Sequence, residues 1–252
     1  MNIEYSPIQY KLGRTLLAVD TATESCSAAL LHQGKISSMQ IDAPREHTEK
    51  ILPMVDALLN DAQVSLKEIE AIVFGEGPGS FTGVRVGVSV AQALSFGINK
   101  PLIAISNLLA LAQGAYALSG HTSVISAIDA RMGEVYVAGY QFNCQESTWT
   151  EFINPMVISP SKLIDLLNNI KSSVPSVVAG TGFQTYPELY STESIKPLYI
   201  DSLNPNLILL PHAKEMITLA IGKLENADFV SAFEAEPMYL RNEVTWQKLP
   251  GK

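Results

Sequence analysis

The sequence predicts an α/β protein built from two similar halves, and three observations carry that expectation. Short apolar runs alternate with amphipathic stretches along most of the 252 residues, the pattern of strands and crossover helices. The order of elements then restarts: SAIDARMGEVYVAGY (Ser126 to Tyr140) again offers a strand ending in Asp, a turn and a second strand. At a shift of 109 residues, Ala18, Asp20 and Ala29 fall on Ala127, Asp129 and Ala138, which points to an internal duplication. Finally, 47% of the residues are hydrophobic and 17% charged. A chain of this length buries roughly 70–75% of the surface it exposes when unfolded, enough for one large domain or two lobes.

The elements follow in order. LLAVD (Leu16 to Asp20) reads as a buried strand, and SCSAALL and KISSMQI as a hairpin turning at HQG. HTEKILPMVDALLNDA (His47 to Ala62) places Ile51, Leu52, Val55, Leu58 and Leu59 at helical spacing. Thr48 is the candidate cap, and Pro53, which lacks an N–H, predicts a late start or a kink. AIVF is a strand, and a helix follows from about Phe81 to Phe96. KPLIAIS and NLLALAQGAYAL supply another strand and helix. In the second half, Ser159-Pro160 is a helix start with Ser as cap and Pro in the first position. VVAGTG is a strand entering a glycine turn, and Pro211 to Leu224 a late helix. The tail AEPMYLRNEV closes the ordered part, and TWQKLPGK is expected to fray.

Composition narrows the function. The formal net charge is −8 and no Lys/Arg cluster occurs, so a nucleic-acid role requires a basic partner. The start, MNIEYSPIQYKLGRT, has no apolar core, so no export is expected. Ser106, Asn107 and Gln113 interrupt the most apolar region, Leu102 to Leu118, which argues against a membrane span. Cys26 and Cys144 form no CxxC pair and read as free cytosolic thiols.

GEGPGSFTGVRVG (Gly75 to Gly87) holds five glycines after an apolar strand, where phosphate cradles and catalytic turns are often found. It matches none of their patterns. Ser80 stands where GxGxxG needs its third glycine, GxxxxGK[ST] does not occur, and Pro78 and Thr82 occupy the glycine positions of GxSxG. Instead Gly79, Gly83, Gly87, Ala91 and Ser95 recur every four residues, which gives a helix one face almost without side chains. Each glycine inside a helix costs roughly 1 kcal/mol against alanine, so tight packing has to compensate. Val84, Val86, Val88, Val90, Leu94 and Phe96 make the remaining surface apolar except for a stripe of Arg85, Ser89 and Gln92. A helix apolar nearly all round is covered nearly all round, by another lobe or by another protein.

Metal and acid–base signals are sparse. His32, His47, His121 and His212 share no helix face at ligand spacing, and HExxH is absent. Asp20 and Asp129 each end a strand, a place for ligand groups in α/β proteins and equally for turn-capping carboxylates. Arg131 and Glu134 make an ion pair an alternative for Asp129.

Taken together, LAVDTATESCSAALL, HTEKILP, GEGPGSFTGVRVGVSVAQALS, DARMGEVY and PMYLRN resemble the TsaB family, accessory proteins for threonylcarbamoyladenosine synthesis in tRNA. The likeness runs from about Thr15 to Asn242; Ala93 stands where the family's helix has a glycine. It implies a two-lobed, actin-like or sugar-kinase-like fold of duplicated ribonuclease-H-like units. The halves then divide as an extension over 1–14, an N-terminal lobe over 15–110, a C-terminal lobe over 111–225 and a tail over 226–252. It also implies a catalytic paralogue, TsaD, whose two metal-binding histidines correspond to Asn107 and Leu111 here. Neither residue replaces imidazole at iron or zinc, so the resemblance implies no metal and no catalysis of its own. Thr21, Ala22 and Thr23 stand where nucleotide-binding members have glycine, so ATP binding at Asp20 and Asp129 is expected to be weak, with no cofactor.

The expected role is a non-catalytic cytoplasmic partner. It would dock the TsaD-type protein through Leu52, Val55, Leu58 and Leu59 of one helix and Gly83, Val84, Gly87, Val90, Ala91 and Leu94 of the next. A TsaE-type ATPase would join, and tRNA would be reached through the complex. A homodimer on the same helices is the expectation when the partner is absent. The alternative is a small-molecule kinase or ATPase of the actin-like fold.

Overall fold

A computed structural model of the chain describes residues 13–170, 176–192, 195–196 and 210–241. All five residues of β1 (Leu16–Asp20) are buried, as expected of a strand covered on both sides. It pairs antiparallel with β2 (Ser25–His32), and β2 with β3 (Lys35–Asp42). The turn between these two has φ of 51° at Gln33 and 77° at Gly34, the paired positive values of a two-residue type I′ hairpin. On its other side β1 runs parallel to β4 (Ala71–Gly77), which runs parallel to β5 (Leu102–Ser106). The first sheet is therefore β3-β2-β1-β4-β5.

The second sheet repeats this plan. β6 (Ser123–Arg131) forms an antiparallel meander with β7 (Glu134–Asn143) and β8 (Thr148–Ile158), while β9 (Ser176–Ala179) and β10 (Ile195–Lys196) add in parallel. The order β10-β9-β6-β7-β8 matches the first sheet strand for strand. The duplication read from three identities thus extends to topology, and the fold is the two-lobed, actin-like class.

Helices cover both faces of each sheet. On one face of the first sheet, Leu17, Val19, Leu30, Ile72 and Phe74 meet α1 (His47–Ala62) and α2 (Phe81–Ile98). On the other face, Leu16, Ala18, Leu31, Val73 and Ile103 meet α6 (Ala213–Glu225). This corrects the expected division at one point: α6, assigned to the C-terminal lobe, packs on the N-terminal sheet. The reason is burial, because that face presents mainly aliphatic side chains, and Ser27 on it accepts the Ala213 amide at the start of α6. α3 (Asn107–Ser119) covers one face of the second sheet with Leu108, Leu111 and Ala115, while its Ala110 joins the first lobe's core, so it lies between the lobes. The remaining face takes α4 (Pro160–Asn169) and α5 (Thr181–Thr185).

α1 neither starts late nor is capped by Thr48. It begins at His47 after Glu46 and runs through Pro53. Losing one bond to proline costs about 3 kcal/mol. Burying Ile51, Met54, Val55, Leu58 and Leu59, at roughly 1.5–3 kcal/mol each, outweighs it. α2 is long and apolar enough on composition alone to cross a membrane. Its inner face, however, is packed on β4 and β1, which accounts for the apolar residues there, while Phe81 and Phe96 of its outer side stay exposed.

After α6 the chain returns to the first lobe. Val230 and Leu102 exchange both backbone bonds at 2.9 Å, and the Met238 amide donates to the Glu76 carbonyl at 2.7 Å. The tail is described as far as Arg241; the last residues of AEPMYLRNEV and all of TWQKLPGK lie outside the described residues.

Candidate functional site: the glycine helix and the interlobe cleft

The glycine face of α2 packs inside its own chain. A Cβ at Gly79 would lie 2.2 Å from the Ala22 carbonyl oxygen, and one at Gly83 2.2 Å from the Thr21 carbonyl oxygen. At Gly87 it would meet the Thr21 hydroxyl at 2.9 Å. The absence of side chains lets the backbone after β1 approach the first turns of α2. Two hydrogen bonds then use that approach: the Ser80 amide donates to the Ala22 carbonyl at 2.7 Å, and the Thr21 hydroxyl to the Gly83 carbonyl at 2.7 Å. Ser80 caps the helix by accepting from the Gly83 amide.

This placement corrects most of the expected docking set. Val84 and Ala91 are buried with Val55, Leu58 and Leu59 in the core beneath the helices, and Gly83 and Gly87 are buried as well. None of these has surface to offer. Periodicity found a covered face but not what covers it. Val90 and Leu94 are half-buried against the same core, and only Leu52, 46% exposed, points into solvent. The outer side of α2 carries Phe81, Arg85, Ser89, Ala93 and Phe96, with Phe96 68% exposed. The tail extends this surface: Phe233 packs edge-on against Phe96, and Tyr239 lies beside Phe81. The guanidinium of Arg85 sits 3.6 Å over the Phe81 ring and donates to the Tyr239 hydroxyl at 2.7 Å.

Asp20 and Asp129 are not brought together as a ligand pair. Asp20 is fully buried and holds the Asn107 amide, which donates to its Oδ1 at 2.8 Å. Asn107 in turn accepts the Gly77 amide at 2.8 Å. A side chain at Gly75 would collide with Asp20, since its Cβ would lie 2.0 Å from Oδ1. Burial pushes the Asp20 carboxyl up to about 6, with the Asn107 hydrogen bond opposing the shift. Asn107, which the sequence shows only as a missing histidine, is thus the bolt between the ends of β1 and β4. Leu111 is buried in the second lobe's core.

Asp129 instead lines the cleft between the lobes, a cavity of about 550 Å³. Its first-lobe wall comes from Ala22, Thr23, Glu24 and Ser80, its second-lobe wall from residues 128–132, Thr181 and Gln184. Asp129 accepts the Arg131 amide at 2.9 Å and its guanidinium at 3.0 Å. Arg131 then reaches across to Glu24 at 2.7 Å, joining the two lobes. Glu134, the other expected partner nearby, pairs with Arg241 at 2.6 Å. His47 Nε2 donates to the Thr23 carbonyl at 2.9 Å, so the loop of residues 21–24 is held from α1 as well as α2. That loop is thus braced against the helices while Ala22, Thr23 and Glu24 also border the cleft. Among the described residues no cluster of His, Cys, Asp or Glu has metal-binding geometry.

Comparison with known proteins gives consistent matches. The family model for TsaD, tRNA N6-adenosine threonylcarbamoyltransferase, matches residues 38–246. The tRNA threonylcarbamoyladenosine biosynthesis protein TsaB of Escherichia coli K12 is 41% identical over 237 residues, covering 94% of this chain and 99% of that protein. Its Haemophilus influenzae counterpart is 43% identical over 244 residues, covering 94% and 98%. Among solved structures, YeaZ from Pseudomonas aeruginosa is 37% identical, with a TM-score of 0.75 over 90% of this chain and 100% of that one.

Proposed function

The chain belongs to the TsaB family of tRNA threonylcarbamoyladenosine biosynthesis proteins, and from that premise we propose that it is the non-catalytic partner that binds and activates the TsaD-type transferase. The observation that carries this reading is the outer side of α1 and α2. Leu52, Phe81 and Phe96 are exposed there on neighbouring helices of one sheet face, and Phe233 and Tyr239 of the tail enlarge the apolar patch. Exposed apolar side chains gathered on one side of a molecule favour docking, and aromatic residues are enriched where binding energy concentrates. The docking set is therefore the outward residues of the two helices, not the glycine face.

The chemistry of the paralogue has no counterpart in this chain's residues. Asn107 uses both ends of its amide on Asp20 and Gly77, and Leu111 is fully buried. The carbonyls of Thr21, Ala22 and Thr23 face helix α2 and His47, which supports weak nucleotide binding at best. A TsaE-type ATPase joins the assembly, tRNA is contacted through the partner, and the complex works in the cytoplasm. Without its partner the chain self-associates through the same patch.

The test is co-purification with a TsaD-type protein, followed by tRNA modification with and without this chain. Leu52→Glu is expected to weaken the complex at least tenfold while leaving the melting temperature unchanged. It is a cleaner probe than Val90→Glu, because Val90 also packs on the core. Full tRNA modification by the partner alone would overturn the proposal.

A further inference from the structure

PMYLRN is the one family-like segment to which the role above gives no work, apart from Tyr239 at the edge of the patch. Its surroundings give it one. From Val230 onward the chain is fastened at successive points. Val230 pairs with Leu102 at the edge of the first sheet. The Gln92 amide of α2 donates to the Ala235 carbonyl at 3.0 Å, Met238 bonds to Glu76 at the end of β4, and Tyr239 takes the Arg85 guanidinium. All of these anchors belong to the first lobe. The next fastener belongs to the second. The Arg241 guanidinium donates to Glu134 Oε2 at 2.6 Å and to the carbonyls of Ala130 at 3.2 Å and Arg131 at 3.4 Å. Arg241 is also mostly buried, its side chain 19% exposed, and it forms part of the cleft wall.

We infer that residues 230–241 are an interlobe strap, and that Arg241, gripping the β6–β7 turn, sets the angle between the lobes and hence the width of the cleft. The chain itself passes between the lobes at α3 and again between β10 and α6; among the described residues, the Arg131–Glu24 pair that also links them is 72% and 50% exposed and contributes little. One packed connection permits rotation about itself; a second, on a different line, removes that freedom. The contacts to Glu134 and to both carbonyls converge on one guanidinium nitrogen, Nη2, while Nη1 lies 3.5 Å from the Met132 sulfur, so the whole β6–β7 turn wraps the end of this side chain. The turn it grips carries left-handed backbone at Arg131, Met132 and Gly133, so its carbonyls are available outside the strand ladder. This inference does not depend on the identity of any partner.

The test uses the full chain with spin labels on Cys144, which is exposed in the second lobe, and on Asp61→Cys in α1. Cys26 is buried, and burial holds its thiol up to about 11, so it stays unlabelled. The labelled parent is expected to give one narrow distance distribution. Arg241→Ala is expected to broaden or lengthen it and to speed amide exchange over residues 130–134 roughly tenfold. An unchanged distance overturns the inference, even if exchange rises, because Arg241 is then only a local brace of the turn. Should Arg241→Ala fail to fold, Glu134→Gln is read by the same criteria, with Tyr239→Phe as the control that leaves the second-lobe grip intact.

Discussion

Asp20 and Asp129 stand at equivalent places in the two halves, each near the end of the first strand of its sheet, yet they have opposite environments. Asp20 has no exposed surface, is hydrogen-bonded by a neutral amide, and leaves Oδ2 without a partner. Asp129 borders the cleft and is paired with a guanidinium. The difference arises next door. In the first lobe, α2 brings Gly79 and Gly83 against the loop after β1 and seals it. In the second, the corresponding turn projects toward the cleft and is held by Arg131 and Arg241. Duplication set the position of the carboxylates, and the packing of neighbouring elements set their chemistry.

The sharpest way to break this contrast is to push α2 off the loop. Gly83→Ala places a methyl 2.2 Å from the Thr21 carbonyl and 2.6 Å from the Ser80 hydroxyl. The backbone on both sides is fixed by hydrogen bonds, so a loss of about 3 kcal/mol is expected in urea unfolding. Gly97→Ala is the matched control: nothing lies within 4 Å of its Cβ, and helix propensity gives a gain of about 0.5 kcal/mol. Equal effects at the two sites would show that close approach is not why α2 carries its glycines.

A smaller effect is expected from neutralising the sealed carboxylate. Asp20→Asn keeps an oxygen for Asn107 and removes a desolvated charge, so it should stabilise the protein at pH 7 by on the order of 1–2 kcal/mol. The pH dependence gives an independent check. The folded carboxyl titrates near 6 against a reference of 3.8, so in that window the native state binds more protons than the unfolded one. Wild-type stability should then fall as pH rises from about 4 to about 6, and the Asn variant should lose that slope. A variant less stable than wild type at pH 7 would mean that the ionised carboxylate is held by interactions stronger than its desolvation.

The smallest effect belongs to the open lobe. Asp129→Asn removes the charge paired with Arg131, whose side chain is 72% exposed while that of Asp129 is only 10% exposed, but keeps an oxygen for the Arg131 amide, so it should cost about 1 kcal/mol, measured by the same unfolding curves. A cost comparable to that of Gly83→Ala would erase the distinction between a sealed and an open turn.

Much of this molecule was legible in the chain. The strands of the first lobe, the hairpin at Gln33 and Gly34, the smooth face of α2 and the repeat at Asp129 all follow from local pattern, because periodicity and turn chemistry act over a few residues. The candidate site was legible only in part. The spacing of Gly83, Gly87 and Ala91 announced a close neighbour but gave no means of telling the Thr21 backbone from another protein. Asn107 looked like a lost ligand, and nothing nearby in sequence indicated that it would join Asp20 to Gly77. Arg241 lies 107 residues from Glu134, a separation at which no pattern operates.

The sequence by itself determined the α/β class, the doubled plan, the failure of the glycine-rich stretch to match GxGxxG, GxxxxGK[ST] or GxSxG, and the likeness to TsaB. These are properties of short segments and of their order. Tertiary structure alone decided which apolar faces are spent on the protein's own core, where α6 and the tail return, and which of two like aspartates keeps contact with water. Those outcomes depend on competition among distant surfaces for burial, and that competition is settled only when the whole chain is packed.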